Sequence, residues 1–129
     1  AVAKVIWSSG ANGSVMATET ADGTDEPMHV DGEADLEGIV ADNDVVLADF
    51  YADWCGPCQM LEPVVETLAA ETPAAVAKVD VDANQDLAGA YGVRGVPTLV
   101  LFADGEQVEE IVGVQGEDRL RSLIANYAE

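Results

Sequence analysis

Residues 45–58 have the sequence VVLADFYADWCGPC and carry the strongest structural signal of the chain. Its first half, Val45 to Tyr51, is a nearly continuous apolar run between turn-forming residues, which is typical of a strand covered on both faces in a parallel sheet. The second half places Cys55 and Cys58 directly after this strand and at the start of the next predicted helix. Unpaired amide N–H groups and the helix dipole favour a thiolate at such a position, and Cys55 gains most.

Periodicity on either side of this stretch predicts alternating strands and helices. Before it, we expect a short strand at Met28 to Val30 and a helix that ends near Asn43. After it, apolar residues at helical spacing predict a long helix with Pro57 near its start and Pro63 kinking its middle.

The remaining half of the chain changes from a parallel to an antiparallel pattern. A strand at Val76 to Val81 is followed by a short helix that Asn84 caps. A strand at Thr98 to Phe102, a tight turn at residues 103–105 and a strand at Glu106 to Val112 predict an antiparallel hairpin. The apolar residues of a final amphipathic helix are Leu120, Leu123, Ile124 and Tyr127.

The predicted order of elements is β-α-β-α-β-α-β-β-α, which belongs to the α/β class. A parallel βαβ half joined to an antiparallel ββα half gives a central mixed sheet with helices on both faces. The length of 129 residues fits one compact domain.

The two cysteines leave several interpretations open. A structural disulfide across so short a loop constrains the unfolded chain little, and a reducing cytoplasm disfavours it. A zinc site needs about four ligands, and only His29 remains unless two chains share a metal, so we assign His29 to structure or surface. Inert core cysteines are a further alternative. A CxxC spacing in a βαβ setting favours a redox pair, in which Cys58 attacks a mixed disulfide formed at Cys55.

The composition is strongly acidic: 25 acidic residues against 5 basic ones give a net charge of −20. An acidic tail does not account for the excess, because residues 28–129 alone carry 21 acidic and 4 basic side chains. Nucleic acid is therefore disfavoured as a partner. The composition resembles that of proteins from extreme halophiles, in which molar salt screens the surface carboxylates.

Residues 1–27 differ from the rest of the chain. Their Ser, Gly, Asn, Thr and Asp content predicts a disordered, acidic, low-complexity arm. No apolar stretch approaches the ~18 to 20 residues that cross a membrane, and Lys4 and Trp7 interrupt the apolar start before an export signal develops. We expect a soluble, cytoplasmic protein.

Several motifs agree in type, order and spacing with those of one known family. They are residues 49–58 (DFYADWCGPC), Pro63, residues 78–82 (KVDVD), residues 92–98 (GVRGVPT) and Gly113. On these motifs the chain resembles the thioredoxin family over residues 28–129, which implies a thioredoxin-fold domain preceded by the arm. The resemblance further implies an enzyme that reduces protein disulfides through a reversible dithiol.

The resemblance implies a role for each residue of the active-site turn. Cys55 resembles the attacking thiol, Cys58 the resolving thiol, and Trp54 the indole beside the site. Gly56 and Pro57 are the pair that reducing members of the family carry between their cysteines, so we expect reduction of protein disulfides.

A second loop completes the implied site. Pro97 resembles the family's cis-proline, which would place the backbone of Val96 beside the disulfide, where an extended substrate segment can pair with it. Gly95 and Gly113 would leave the apolar docking surface free of side chains.

Two charged residues in predicted strands have competing interpretations. Asp49 lies in an apolar strand, where carboxylates are uncommon unless paired or functional, and the resemblance makes it a proton relay for Cys58. Lys78 is either a lysine extending from a sheet edge into solvent or the partner of Asp49. Burial should raise the pKa of Asp49, with a partial offset if Lys78 is close. Gln59 departs from the family pattern, since many members have a basic residue there.

The expected partners follow from the resemblance. They are disulfide-containing proteins and a thioredoxin reductase, with no cofactor beyond the Cys55–Cys58 disulfide and no metal. We expect a monomer that binds neither nucleic acid nor membranes. The alternative is an interaction module that uses the docking surface without redox turnover, and a third possibility is metal carriage by paired chains.

Lowering the salt concentration from molar to millimolar should reduce stability, because unscreened repulsion among surface carboxylates favours expansion. Thermal melts followed by circular dichroism at both salt concentrations check this expectation. A melting temperature that stays constant or rises on desalting would contradict the halophile interpretation.

Overall fold

The computed structural model describes residues 25–128. Its elements follow the predicted order and are β1 (Met28–His29), α1 (Glu33–Asp42), β2 (Val45–Tyr51), α2 (Gly56–Glu71), β3 (Ala75–Asp80), α3 (Gln85–Ala90), β4 (Thr98–Ala103), β5 (Glu106–Val112) and α4 (Glu117–Tyr127). The prediction of a disordered arm falls mainly on residues 1–24, which lie outside the described residues.

A five-stranded sheet with the strand order β1-β3-β2-β4-β5 forms the centre of the structure. β2 runs parallel to β3 and antiparallel to β4, while the outer strands β1 and β5 pair parallel with β3 and antiparallel with β4, respectively. The predicted mixed sheet is confirmed. β2 is hydrogen-bonded on both sides, so it joins the parallel half to the antiparallel half.

Side chains of β2 alternate between two apolar layers, because successive residues of a strand point to opposite faces. Val46 and Phe50 pack in the layer that contains the buried residues of α1 and α3. Val45 and Leu47 pack in the layer that contains those of α2 and α4. Helices cover both faces, as predicted, and the alternation assigns Asp49 to the α2 face.

Helix α2 begins immediately after Cys55, which occupies its N-cap position. Pro57 is tolerated in the first turn because the amides there have no partner within the helix. The helix continues through Pro63 to Glu71, and at 16 residues it is the longest of the described helices. Among residues 25–128, no helix combines the length and the apolar character needed to cross a membrane.

The turn between β4 and β5 has the backbone of a tight hairpin. Asp104 has a φ of 54° and Gly105 a φ of 86°, so both central residues are in the left-handed region that such turns require. The amide of Asp104 donates to the carbonyl of Asp44 at 2.8 Å. This bond ties the hairpin to the residue before β2.

Asn84 stands at the N-cap position of α3, as predicted, but its side chain makes no capping hydrogen bond. Its Oδ1 accepts from the Gly32 amide at 2.8 Å, and its Nδ2 donates to the carbonyls of Asp80 at 3.0 Å and Val30 at 3.4 Å. The expected side-chain cap is therefore wrong. Because β1 and β3 are parallel neighbours, the loops after them meet at one edge, and the buried amide joins those loops instead.

Asn84→Ala should lower the free energy of unfolding by about 1–3 kcal/mol, because the Gly32 amide and the Val30 carbonyl lose this side-chain partner in a partly buried place, whereas the Asp80 carbonyl keeps the backbone amide of residue 84. The exposed neighbour Gln85 provides the matched control, and Gln85→Ala should change stability by less than ~0.5 kcal/mol. Urea melts of both variants measure the two losses of unfolding free energy. Equal losses would show that the side-chain hydrogen bonds of Asn84 do not contribute to stability.

Candidate active site

The two cysteines lie at the carboxyl end of β2, where the chain turns into α2. Cys55 and Cys58 form a disulfide whose Cα atoms are 5.3 Å apart. Cys55 Sγ accepts a hydrogen bond from the Cys58 amide at 3.1 Å. This amide is one of the N–H groups in the first helical turn that have no backbone partner within the helix. The helix terminus therefore offers a donor to negative charge on this sulfur.

Burial does not distinguish the two cysteines in the disulfide form. Cys55 is 4% exposed and Cys58 is 3% exposed. The disulfide holds both sulfurs against the same small cluster, which contains Ala52 and is flanked by Tyr51 and other partly buried residues. The asymmetry of the pair lies in the helix position and the hydrogen bond of Cys55.

The loop before β4 faces the disulfide. The Val96–Pro97 peptide bond is cis, as the resemblance implies. The carbonyl oxygen of Val96 lies 3.7 Å from Cys55 Sγ, so the backbone expected beside the disulfide is there. Val96 is half-buried and Pro97 is buried.

Two glycines frame this loop. Gly113 has a φ of 96°, which disfavours any residue with a side chain, and its amide donates to the Pro97 carbonyl at 2.8 Å. Gly95 is exposed, and its carbonyl accepts the Thr98 hydroxyl at 2.7 Å. A Cβ at either glycine would meet no atom within 4 Å, so the surface there is open.

Trp54 lies beside the turn and is 71% exposed. Its Nε1 donates to Asp82 Oδ2 at 2.8 Å. Asp82 follows β3, whose carboxyl end lies at the same sheet edge as that of β2 because the two strands are parallel. The sequence pattern predicts no role for Asp82, although its place in the KVDVD motif after a parallel strand could have indicated this contact.

Asp49 is fully buried in β2. Neither of its carboxylate oxygens has a hydrogen-bond partner among the described residues. In the sheet register its neighbours are Lys78 on β3 and the apolar Leu99 on β4. The Lys78 ammonium lies 4.0 Å from Asp49 Oδ2, which is close enough for attraction and too far for a hydrogen bond.

Lys78 is 3% exposed and belongs to an interior strand, since β3 lies between β1 and β2. The interpretation of Lys78 as a lysine extending from a sheet edge is therefore wrong. Its ammonium contacts the Glu62 carboxylate on α2 and lies 4.3 Å from the centre of the Tyr51 ring. Glu62 is absent from the sequence-based site, although its position four residues after Cys58 on the same helix could have indicated it.

The pKa of Asp49 is raised from 3.8 to about 6. Burial is the main cause because it disfavours the charged carboxylate, the Lys78 ammonium lowers the pKa, and the Glu62 carboxylate raises it further. The expected direction and the offset by Lys78 are confirmed. A proton acceptor with this pKa is well matched to exchange a proton with a thiol near neutral pH.

Metal ligands do not gather in the described part of the chain. Residues 25–128 contain no group of three or more His, Cys, Asp or Glu side chains arranged to hold a metal ion. His29 is exposed on β1.

Comparison with known proteins identifies the family. A sequence model described as Thioredoxin matches residues 27–126. The chain belongs to the thioredoxin family. It is 50% identical to the thioredoxin of Chlamydia muridarum over 84 residues, which are 64% of this chain and 82% of that relative. The Bacillus subtilis thioredoxin is 50% identical over 85 residues, 64% of this chain and 82% of the relative.

Solved thioredoxin structures agree with this fold. A point mutant of the thioredoxin from Halobacterium salinarum is 72% identical, with a TM-score of 0.82 over 86% of this chain and 97% of that one. The thioredoxin of Fasciola hepatica is 38% identical, with a TM-score of 0.73 over 78% and 99% of the two chains.

Family membership and the Cys55–Cys58 pair together establish the activity. The chain is a thiol–disulfide oxidoreductase that reduces protein disulfides, and its redox-active group is this disulfide, with no further cofactor. Disulfide-containing proteins and a reductase are its general partners.

Asp49→Ala should raise the free energy of unfolding at neutral pH. The folded protein holds the Asp49 proton longer than the unfolded chain, so stability falls as pH rises from 3.8 to about 6. Each tenfold change in proton affinity corresponds to ~1.4 kcal/mol, so the full cost above this window is about 3 kcal/mol. Part of the gain is lost to the cavity, and Lys78 keeps Glu62 as its partner.

Urea melts at high salt, run at pH 4 and pH 7.5, measure this effect. The stability difference between Asp49→Ala and the parent should increase from pH 4 to pH 7.5. A difference for Asp49→Ala that does not depend on pH would contradict the raised pKa.

Proposed function

We propose that this thioredoxin reduces protein disulfides in the cytoplasm of a salt-accumulating cell, with Cys55 as the attacking and Cys58 as the resolving thiol. The position of Cys55 Sγ carries the assignment of roles: at the N-cap of α2 it accepts the Cys58 amide and faces the Val96 carbonyl. A sulfur in that position is stabilised as a thiolate and is adjacent to the backbone that a substrate would pair with.

The reaction has two exchanges. In the reduced protein, the Cys55 thiolate attacks one sulfur of a substrate disulfide, forms a mixed disulfide and expels the other substrate sulfur as a thiolate. Cys58 then loses its proton and attacks Cys55 Sγ, which closes the Cys55–Cys58 disulfide and releases the second substrate sulfur. A thioredoxin reductase returns two electrons to the pair.

Asp49 is the proposed acceptor of the Cys58 proton. It is buried on the α2 face of β2, the strand that leads into the cysteine turn, and its raised pKa makes it a stronger base than an exposed carboxylate. Lys78 is its proposed electrostatic partner, because the ammonium lies 4.0 Å away and favours the carboxylate that forms when Asp49 gives up its proton.

Substrate docking is proposed at the surface around the cis-proline. An extended substrate segment would pair with the backbone of Val96, with Pro97 fixing the loop and Trp54 providing an exposed apolar contact. Gly95 and Gly113 support this proposal because neither places a side chain in the way of the approaching segment.

The cellular setting is part of the same proposal. The net charge of −20 and the likeness to a thioredoxin of Halobacterium salinarum support a salt-rich cytoplasm. The excess of acidic residues disfavours nucleic acid as a partner. We propose that residues 28–129 form the working domain, that it acts as a monomer, and that residues 1–27 form a separate arm.

Single cysteine variants test the assignment of attacker and resolver. Cys58→Ser should still attack and should accumulate a mixed disulfide with a protein that has one exposed disulfide, because no thiol remains to resolve it. Cys55→Ser should trap at least about tenfold less, because the remaining thiol lacks the helix N-cap position. Non-reducing gel electrophoresis after rapid acid quenching measures the trapped fraction.

The double variant Cys55→Ser/Cys58→Ser is the control. It should trap nothing and should lose all disulfide reduction, whereas an interaction module without redox turnover would keep its activity. Equal trapping by the two single variants would refute the assignment.

A further inference from the structure

Glu62 is a charged residue beside the active site that the reaction described above does not use. With Asp49 and Lys78 it forms a group of three charges, here named the buried charge cluster, between α2, β2 and β3. The side chains of Asp49 and Lys78 are 1% and 3% exposed, whereas that of Glu62 is 42% exposed. Glu62 is thus the only member of the cluster with substantial contact with water.

The contacts within the cluster are unequal. The Lys78 ammonium is in direct contact with the Glu62 carboxylate but lies 4.0 Å from Asp49. Asp49 consequently keeps both oxygens without a hydrogen bond, although a cation is nearby. The ammonium is drawn toward the solvent side of the cluster, and Glu62 is the group that draws it.

Among the described residues, Glu62 is the one carboxylate besides Asp49 that lies close to the Lys78 ammonium, although the Tyr51 ring is also 4.3 Å from it. Lys78 faces it from β3, Glu62 from α2, and the apolar Leu99 pairs with it on β4. On its own strand, Tyr51 is the nearest titratable side chain, and burial together with nearby carboxylates raises the pKa of this phenol, so it remains neutral. The charge state of Asp49 therefore depends on how the Lys78 ammonium is shared.

We propose that Glu62 is a positioning residue for the reaction: by holding the Lys78 ammonium, it leaves Asp49 without a hydrogen-bonded counter-charge and so keeps Asp49 a strong base for Cys58. This proposal rests on the proposed role of Asp49 as the acceptor of the Cys58 proton.

Loss of the Glu62 charge should lower the pKa of Asp49 in two ways. It removes a negative charge that disfavours ionisation of Asp49, and it frees the Lys78 ammonium to move the short distance to Asp49 Oδ2. Both changes favour the Asp49 carboxylate and make it a weaker base. The pKa of Asp49 should therefore fall toward its ordinary value, although burial continues to raise it.

Glu62→Gln is the variant that tests the proposal, because it removes the charge and keeps the size of the side chain. Glu66→Gln is the matched control, since Glu66 is exposed one turn further along α2 and its loss changes the net charge equally. Glu62→Asp is the conservative variant and should largely restore the behaviour of the parent. Thermal melts at high salt verify that each variant is folded.

The measurement is the rate of mixed-disulfide resolution in single-turnover stopped-flow experiments between pH 4.5 and pH 8.5. In Glu62→Gln the midpoint of the acidic limb should fall by about one pH unit. The rate at neutral pH should fall on the order of threefold, as expected for a weaker general base. Initial attack by Cys55 should change little, and Glu66→Gln should match the parent in both phases.

An Asp49→Asn variant separates failure of this inference from failure of the proposed role of Asp49. If Asp49→Asn abolishes the acidic limb but Glu62→Gln has the same profile as Glu66→Gln, Glu62 has no positioning role. If Asp49→Asn leaves the resolution profile unchanged, Asp49 is not the base, and both proposals are wrong.

Discussion

The structure depends on strand β2 being paired on both sides, because this pairing decides what meets at the carboxyl end of the strand. β3 is parallel to β2, so the segment after β3 arrives at the same edge and brings Asp82 to Trp54. β4 is antiparallel, and its first residue, Thr98, pairs with Phe50 near the end of β2. The cis Val96–Pro97 loop, which precedes Thr98, is thereby placed against the cysteine turn. A mixed sheet is thus a requirement of this site, since a purely parallel one would send that loop to the opposite edge.

The same strand carries the least favourable group of the core. Asp49 occupies an interior position that an apolar residue would fill at lower cost, and ionising it there costs about 3 kcal/mol, a large share of the ~5–15 kcal/mol that stabilise a typical domain. This cost is what remains after the Lys78 ammonium, which Glu62 shares, has offset part of the penalty of burial. Residues that lower the stability of a protein are common at functional sites. The cost of burying this carboxylate is therefore the physical reason to assign Asp49 a role in proton transfer.

Periodicity predicts the order of the elements correctly because strand and helix patterns are local and strong in this chain. The cis-proline, by contrast, follows only from resemblance to a family, since nothing in the local pattern distinguishes Pro97 from a trans-proline before a strand. The side-chain bonds of Asn84 and the contact between Glu62 and Lys78 depend on which loops and helices meet in three dimensions. Local patterns carry no information about such contacts, which is why a cap was expected for Asn84 and no role for Glu62.

Asp49 keeps its proton up to nearly neutral pH because it is buried without a hydrogen-bond partner among the described residues. A ¹³C NMR titration of the Asp49 side-chain carboxyl in the disulfide form, at molar salt, measures this most directly, with Asp49→Asn used to assign the resonance. The expected titration midpoint is about 6. A midpoint near the ordinary value of 3.8 would show instead that burial does not disfavour the Asp49 carboxylate, and that it is already ionised in the folded protein well below neutral pH.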